Sequence, residues 1–397
     1  MTSSVPPIWI SAAETSADVH GASLVQALNR LAPNVPLLGM GGAGMRETNF
    51  RALFQAEDLS VMGLTEVASA LPRIWSLYTR IKQALRLHRP CCLVLIDAPD
   101  FHFRIAKMAY RMGIPVIYYI SPQVWAWRRY RVRFLRRYVH RLLCIFPFEQ
   151  DFFSRHGLEV AFVGHPLLEH MDLTSLDRIK EVPDRIGLLP GSRRKEISAL
   201  LPRFAQAARI INRHRPTTHF VLFQAHGLSR EELLSFWPQD LPVRIAPFAH
   251  RYLEIKACSL VLSASGTATL ECAILGRPTL VAYRLSWLSY AVARQVVDVP
   301  YISMPNLILN QGVFPEYMQN RVRGGILAAQ ALDWLESPHK RKEIQNALRT
   351  IRAQLGAHPA SSTAARLILD AAQGSNAMSL RSSLVADSGI MIQLQNW

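Results

Sequence analysis

Two acidic residues follow apolar runs of the sequence that have the length of buried strands. Asp97 comes directly after Leu93–Ile96, and Glu14 lies just beyond Ile8–Ser11. A carboxylate held at a strand tip and partly removed from water can act as a general base. The alternative at the first position is helix capping by Thr15 or Ser16, with the acidic residues favouring the helix dipole. At the second position, Asp97 or Asp100 could cap the following helix. We therefore take Asp97 and Glu14 as catalytic candidates, with a helix-terminal role as the alternative.

A stretch of small residues, Ser263–Glu271, could bind a diphosphate. It leads from a strand into the predicted helix Ala268–Leu275, whose first backbone N–H groups have no helical partner. Glu271 lies about one turn beyond Thr267, so its carboxylate could accept hydrogen bonds from ribose hydroxyls. The ligand-binding candidates of this loop are Ser265, Gly266, Thr267 and Glu271.

A second loop, Leu188–Arg193, follows another predicted strand. Gly191 allows close approach of the backbone, Ser192 offers a hydroxyl, and Arg193 offers a fork of donors suited to phosphate. The loop lacks the lysine and the spacing of a Walker motif, which disfavours ATP hydrolysis. Alone it could be an ordinary surface turn. Together with the first loop it predicts a nucleotide-diphosphate site.

Aromatic and basic residues are interleaved in Tyr118–Arg133 and in the predicted helix Leu71–Arg89. Such a mixture fits a nucleic-acid surface or a membrane interface with anionic headgroups, and a packed helix with a solvated basic face is the bland alternative. The basic residues alternate with Trp, Leu and Ile, and no RNA-binding module is identifiable, so we favour the membrane. The candidates for membrane or acceptor contact are Trp75, Trp125, Trp127, Arg128 and Arg129.

The composition narrows the class of partner. The chain has 45 Lys and Arg against 29 Asp and Glu, a formal charge of +16, which predicts attraction to anionic lipid, phosphorylated substrates or nucleic acid. The five cysteines form no C-x-x-C pair and the histidines occur singly, so no metal site is expected. No apolar run is long enough for a spanning helix and no leader is evident, so we expect a cytoplasmic protein.

Short apolar runs alternate with amphipathic segments along most of the chain, which is typical of βαβ units on a parallel sheet. A polar segment, Asp172–Asp184, interrupts this alternation. We therefore predict an α/β protein of two Rossmann-like, doubly wound domains that face each other across a cleft, where strand ends bind ligands. The predicted segments are an N-terminal domain over 1–170, a C-terminal domain over 171–357, a helix over 358–374 packing back on the first domain, and a loosely attached tail over 375–397.

The ordered motifs together resemble lipid-A-disaccharide synthase, a family of GT-B architecture, over about Ile8 to Ala372. The motifs that carry the resemblance are Glu14-Thr-Ser, Leu59–Val67, Ile96–Phe101, Ile120–Arg128, Phe146–Glu149, Val163–Pro166, Leu188–Arg193, Ala264–Glu271 and Pro305–Leu307. Three residues depart from the family pattern: Ala13 and Ala17 stand where glycine is usual, and His102 stands where asparagine is usual.

The resemblance implies transfer of diacylglucosamine from its UDP donor to the 6-hydroxyl of a diacylglucosamine 1-phosphate acceptor, a monosaccharide phospholipid. It implies inversion, no metal and no cofactor, and peripheral association with the inner membrane; a homodimer is left open. By resemblance Asp97 is the general base and Glu14 lies close to the sugar. The residues that would hold UDP are Arg193, Ser265–Thr267, Glu271 and Asn306, with Glu316 matching a Pro-Glu pair of the family.

Two other classes of function stay open at this level. Another UDP-sugar transferase or a UDP-sugar epimerase of the same architecture would use similar strand-end loops. An RNA-binding protein would fit the charge but not the pattern of the basic residues.

Overall fold

The computed structural model describes residues 5–60, 67–224, 229–287, 290–291, 294 and 299–387. The central part of the motif Leu59–Val67, residues 61–66, lies outside these ranges. The strands are β1 Ile8–Ala12, β2 Leu37–Gly41, β3 Arg51–Gln55, β4 Cys92–Ile96, β5 Val116–Tyr119, β6 Arg141–Cys144, β7 Val160–Phe162, β8 Arg185–Leu189, β9 His219–Phe223, β10 Arg244–Ala246, β11 Leu260–Ala264, β12 Thr279–Tyr283 and β13 Glu316–Met318.

Helices connect most of these strands. They are α1 Thr15–Leu31, α2 Ala43–Arg46, α3 Glu57–Ser60, α4 Val67–His88, α5 Pro99–Tyr110, α6 Val124–Trp127, α7 Val132–Tyr138, α8 Pro147–Arg155, α9 Leu173–Leu176, α10 Arg194–His214, α11 Arg230–Leu234, α12 Arg251–Lys256, α13 Thr267–Ile274, α14 Met304–Leu309, α15 Gly324–Glu336, α16 Pro338–Gln354 and α17 Ala360–Asp387. No helix in the described part of the chain combines the length and the apolar character needed to cross a membrane.

The strands form two parallel sheets, which confirms the predicted α/β class with two Rossmann-like units. One sheet has seven strands in the order β3-β2-β1-β4-β5-β6-β7, and the other has six in the order β10-β9-β8-β11-β12-β13. The first compact unit contains the residues up to Pro166 together with those from His358 onward, and the second contains Leu167–Ala357. In the first sheet the strand order changes direction between β1 and β4, and in the second between β8 and β11. Open α/β sheets bind ligands at such a switch point.

The central strands are apolar because helices cover both faces of each sheet. All five residues of β1 and of β4 are buried, and they pair in register from Ile8 with Cys92 to Ala12 with Ile96. In the second unit, α10 buries one face against its sheet. This face includes Leu200, Phe204, Ala207 and Ile211, which recur at helical spacing and are at most 1% exposed.

Two of the strands at the sheet edges, β3 and β13, have few fully buried residues. β3 has only one fully buried residue of five, and β13 one of three. Because these strands are only partly covered, they lack the continuous apolar run by which buried strands are recognised from the sequence.

The C-terminal helix α17 belongs to the first unit, where it packs against α1 and β4. Its buried face includes Ala364, Ala365 and Ile368, all fully covered. The helix does not end near residue 374 but continues to Asp387.

A glycine of β2 should be indispensable to the first sheet. A Cβ at Gly39 would lie 2.1 Å from the carbonyl oxygen of Ile10, and its φ is +143°. We expect Gly39→Ala to lower the free energy of unfolding by about 3 kcal/mol or more, because a clash with rigid backbone adds to dihedral strain. The midpoint of urea unfolding measures this.

Gly113→Ala is the matched control, since Gly113 also has positive φ, +72°, but no atom lies within 4 Å of its added Cβ. It should cost only about 1–2 kcal/mol, the price of the left-handed conformation alone. Equal losses in the two variants would contradict the clash at Gly39.

Candidate functional site

A cavity of about 330 Å³ lies at the carboxyl ends of β8, β9, β10 and β11 in the second unit. Six of the residues nominated from the sequence line it, and they come from both predicted loops. These residues are Gly191, Ser192, Ser265, Gly266, Thr267 and Glu271. The parallel sheet has therefore brought together two loops that are separated by about seventy residues in the sequence.

The loop between β11 and α13 has the form expected of an anion site. Gly266 is the N-cap of α13, with φ +155°, and no atom lies within 4 Å of where its Cβ would be. Gly266 and Thr267 are exposed, and the N–H groups that open a helix have no carbonyl partner one turn earlier. These amides can donate to a diphosphate, which the helix dipole also favours.

Glu271 is paired within this cavity. Its carboxylate forms an ion pair with Arg251, and the side chain is 6% exposed. Burial raises the pKa of Glu271 to about 7, although Arg251 opposes the shift. A carboxylate so held can accept hydrogen bonds from ligand hydroxyls without further ordering.

Sequence reasoning missed Arg251 and the aromatic residues beside it. The guanidinium of Arg251 lies 5.1 Å from the ring centroid of Phe248, and both line the cavity with Phe223. The Nε of Arg251 is buried and has no hydrogen-bond partner among the described residues. No local pattern marks these residues, because Arg251 meets Glu271 only through packing of α12 on α13.

The loop that contains Gly191 is hydrogen-bonded to Glu196, which the sequence analysis did not select as a site residue. Glu196 accepts a hydrogen bond from the Ser192 backbone N–H at 3.1 Å, and burial raises the pKa of Glu196. A Cβ at Gly191 would displace the Glu196 carboxylate, and the φ of +112° strains any residue other than glycine. Arg193 is exposed at the N-cap of α10 and does not line the cavity.

Asn306 and Glu316 lie outside the cavity lining and bind each other. The Asn306 amide donates to Glu316 at 2.8 Å, and the same carboxylate accepts from the backbone N–H groups of Ile302 and Ser303. Ser265 Oγ donates to the Ile302 carbonyl at 2.8 Å. In this structure the pair therefore braces the segment that supports Ser265.

In the first unit, Asp97 and Glu14 follow the adjacent strands β4 and β1, and their charges interact. Asp97 has φ +51° and Ala98 has φ +47°, so two consecutive non-glycine residues adopt the left-handed conformation. Burial, and secondly the charge of Glu14, raises the pKa of Asp97. A half-buried carboxylate with a raised pKa at a strand tip suits general-base chemistry.

No side chain caps the N-terminus of α1 or of α5 through its N-cap residue. Glu14 is the N-cap of α1 and is exposed, but its side chain makes no capping hydrogen bond. The N-cap of α5 is Ala98, whose side chain has no acceptor. Ala13 and Ala17, which depart from the family pattern, are buried at 3% and 1% exposure.

Trp125 is 5% exposed, so it offers almost no surface to a membrane, which revises the expectation for this residue. Its indole N–H donates to Glu149 at 2.9 Å. The Glu149 carboxylate is fully buried and also accepts from Ser121 Oγ at 2.6 Å and from the backbone N–H groups of Ile145 and Phe146. Burial raises the pKa of Glu149 to about 7 against these four donors.

The other nominated aromatic residues are exposed. Trp75 on α4 is 66% exposed and Trp127 on α6 is 45% exposed. The Arg128 guanidinium lies 3.8 Å from the Trp127 ring centroid, and Arg128 also pairs with Asp100 at 3.3 Å. Arg129 is exposed. Among the described residues, no group of three or more His, Cys, Asp or Glu is placed to hold a metal ion.

The chain matches a family model described as lipid-A-disaccharide synthetase over residues 8–369. It is 36% identical over 382 residues to a lipid-A-disaccharide synthase of Acidobacterium capsulatum, covering 92% of this chain and 95% of the relative. It is 38% identical over 375 residues to a lipid-A-disaccharide synthase of Syntrophus aciditrophicus, covering 91% and 97%.

Solved structures with low sequence identity share the fold. A UDP-GlcNAc 2-epimerase from Neisseria meningitidis, bound to UDP-GlcNAc, has a TM-score of 0.58 at 12% identity and covers 91% of this chain and 98% of its own. A calicheamicin glycosyltransferase has a TM-score of 0.58 at 14% identity, covering 92% and 98%. At this identity the likeness defines architecture alone.

Glu149 should be essential for stability because it satisfies four buried donors. We expect Glu149→Ala to lower the free energy of unfolding by about 3 kcal/mol or more, since each orphaned buried donor costs about 1–3 kcal/mol. Urea unfolding followed by tryptophan fluorescence measures the loss. Glu159→Ala is the control: its ion pair with Arg141 is half exposed, so the loss should be at most about 1 kcal/mol. Similar losses in the two variants would refute the role of Glu149.

Proposed function

The chain belongs to the lipid-A-disaccharide synthetase family and is a glycosyltransferase of lipid A biosynthesis, and from that premise we propose the substrates and the chemistry of its reaction. The donor is UDP-2,3-diacylglucosamine and the acceptor is 2,3-diacylglucosamine 1-phosphate. The products are the β-1,6-linked disaccharide 1-phosphate and UDP, with inversion at the transferred sugar. The proposal assigns the donor nucleotide to the second unit and the acceptor hydroxyl to Asp97 of the first.

The cavity at the carboxyl edge of the second sheet carries the assignment of the donor. The backbone amides of the exposed residues Gly266 and Thr267 would bind the diphosphate, and Glu271, oriented by Arg251, would bind ribose hydroxyls. Phe248 and Phe223 offer apolar surface in the same cavity for the base. Arg193, exposed at the N-cap of α10, would reach the phosphates when UDP binds. Asn306 and Glu316 would act on UDP through the support of Ser265.

Asp97 would act as the general base. A sugar hydroxyl has a pKa far above 7, so its proton passes to the carboxylate only as the new glycosidic bond forms. The bond between the anomeric carbon and the UDP oxygen breaks on the opposite face. Preorganised amides and Arg193 stabilise the charge that develops on UDP. Glu14 lies close enough to Asp97 to raise its pKa, which makes Asp97 a stronger base.

The decisive experiment supplies both substrates and analyses the products by mass spectrometry. We expect the disaccharide 1-phosphate and UDP in equal amounts. Asp97→Ala should reduce turnover by about 10²–10⁴-fold, the usual contribution of a general base, and should leave UDP binding unchanged. Retention of more than about a tenth of wild-type turnover would remove Asp97 from the mechanism.

The pH profile of kcat/KM gives an independent check. Because the pKa of Asp97 is raised and the base must be ionised, the rate should fall as the pH decreases through a value above the pKa of an ordinary aspartate, about 3.9.

Formation of an epimerised UDP-sugar without disaccharide would instead favour the epimerase alternative, whose fold the chain shares.

The acyl chains of these substrates place the reaction at a membrane surface, which we propose is the cytoplasmic face of the inner membrane. Trp75 is exposed on α4, which also carries unburied arginines, and Trp127 is exposed at the end of α6, directly before Arg128 and Arg129. Such residues bind the interface between acyl chains and anionic headgroups. Arg128 stacks on Trp127 and would accompany it to the headgroups.

Vesicle flotation tests this surface. The protein should float with phosphatidylglycerol vesicles, less so at high salt because headgroup attraction is screened. The double variant Trp75→Ala, Trp127→Ala should bind at least about tenfold more weakly, since each indole contributes buried apolar area. Trp287→Ala, at a tryptophan of the second unit that is 77% exposed, should bind like the wild type. Failure of the wild-type protein to bind at any salt concentration would end the membrane proposal.

A further inference from the structure

Three polar side chains converge on the backbone at the end of β4, and the reaction proposed above uses none of them directly. His102 Nδ1 lies 2.7 Å from the carbonyl oxygen of Asp97, and Tyr118 Oη donates to the same oxygen at 2.6 Å. Ser11 Oγ lies 3.0 Å from His102 Nε2. The exposed fraction of each of these three side chains is at most 1%.

The partners determine which imidazole nitrogen carries the proton. A carbonyl oxygen can only accept, so Nδ1 of His102 must be the donor to Asp97. Burial lowers the pKa of His102 to about 4, so the ring is neutral and Nε2 accepts from the Ser11 hydroxyl. Every polar atom of the imidazole is therefore satisfied in a single tautomer.

The strands on both sides of β4 contribute to these contacts. Ser11 lies on β1 and is paired with Leu95, and Tyr118 lies on β5 and is also paired with Leu95. Both neighbouring strands thus hold the carbonyl of the residue that follows β4, one of them through His102. The fold could not bring these groups together unless the three strands were parallel and in this register.

The carbonyl they hold belongs to an unfavourable backbone conformation. Asp97 and Ala98 are both left-handed, at φ +51° and +47°, and neither is glycine. Such a conformation persists only where surrounding contacts enforce it. The direction of the Asp97 side chain depends on the turn, because rotation about φ and ψ would move its Cβ.

We propose that His102 is a positioning residue, which with Ser11 and Tyr118 holds the left-handed turn that presents the Asp97 carboxylate to the acceptor hydroxyl. The inference rests on the proposed role of Asp97 as base. It assigns to a neutral histidine a purely geometric contribution, with no proton exchanged with substrate. A base displaced by about 1 Å loses on the order of 10²-fold in rate, so the holding contacts should be visible in kinetics.

His102→Ala should lower kcat by about 10- to 100-fold while the KM of each substrate and the affinity for UDP stay within about twofold. The acid limb of the kcat/KM profile should also move to lower pH, because a released carboxylate becomes better solvated. His102→Asn retains an N–H near the position of Nδ1 and should recover most of kcat. Tyr118→Phe, which keeps the packing, should show the same kinetic signature as His102→Ala.

His156→Ala is the matched control, because His156 Nδ1 also bonds a backbone carbonyl, that of Phe152 at 2.8 Å, but at an exposed site of the first unit. Its kinetics should equal those of the wild type. Wild-type kcat in His102→Ala, an unmoved acid limb, or a His102→Asn variant no better than alanine would each overturn the proposal.

A structural readout separates this proposal from the proposed function. Crystal structures of the wild-type protein and His102→Ala give φ of Asp97 directly, whatever the protein catalyses. The variant should leave the left-handed region at Asp97, and an unchanged turn would overturn the positioning role. Absence of disaccharide formation by the wild-type protein, with the turn lost in the variant, would reject the proposed function and leave the contacts as a determinant of backbone conformation.

Discussion

Parallel pairing of the strands is the constraint on which both sites of this molecule depend. When neighbouring strands run in the same direction, all their carboxyl ends leave one edge, and distant loops meet there. In the first unit this brings Asp97 beside Glu14. In the second unit it brings the Gly191 loop and the Ser265–Thr267 loop into one cavity. A register shift of one residue on β4 would turn its side chains to the other face and disperse the first site.

Three carboxylates near these sheet edges differ in their hydrogen-bond and ion-pair partners. The difference distinguishes a residue that stabilises the fold from residues that can bind a ligand or take part in the reaction. Glu149 accepts four hydrogen bonds within the fold, so none of its capacity is left for a ligand. Glu271 has a single strong partner, Arg251, and faces a cavity. Asp97 is half-buried and repelled by Glu14, and no cation of the described residues contributes to the shift of its pKa. The pKa of all three carboxylates is raised, so the pKa alone does not separate their roles. The number of partners does: it assigns Glu149 to the stability of the fold, Glu271 to ligand binding and Asp97 to the role of base.

Side-chain exposure also separates residues that the sequence analysis had assigned to one candidate surface or site, because some of them are buried and others are exposed. Trp125 and Trp127 are two positions apart, yet the first anchors Glu149 in the core and the second lies at the surface under Arg128. Likewise, Asn306 and Glu316 bind each other inside the fold, whereas Arg193 is exposed. A segment with suitable residue types therefore contributes to function only through the side chains that the fold leaves accessible.

The sequence by itself determined the α/β class, the buried strands and the strand-end loops, because these depend on short-range apolar periodicity and on small residues at fixed spacing. It also singled out Asp97, Gly191, Gly266 and Glu271. Only the tertiary structure decided that Arg251 pairs with Glu271, that Ser11 reaches His102 across 91 positions, and that Trp125 is buried. The edge strands β3 and β13 belong to the same group. Contacts between distant segments and the side of an element that becomes covered arise from packing, which leaves no mark in the local pattern.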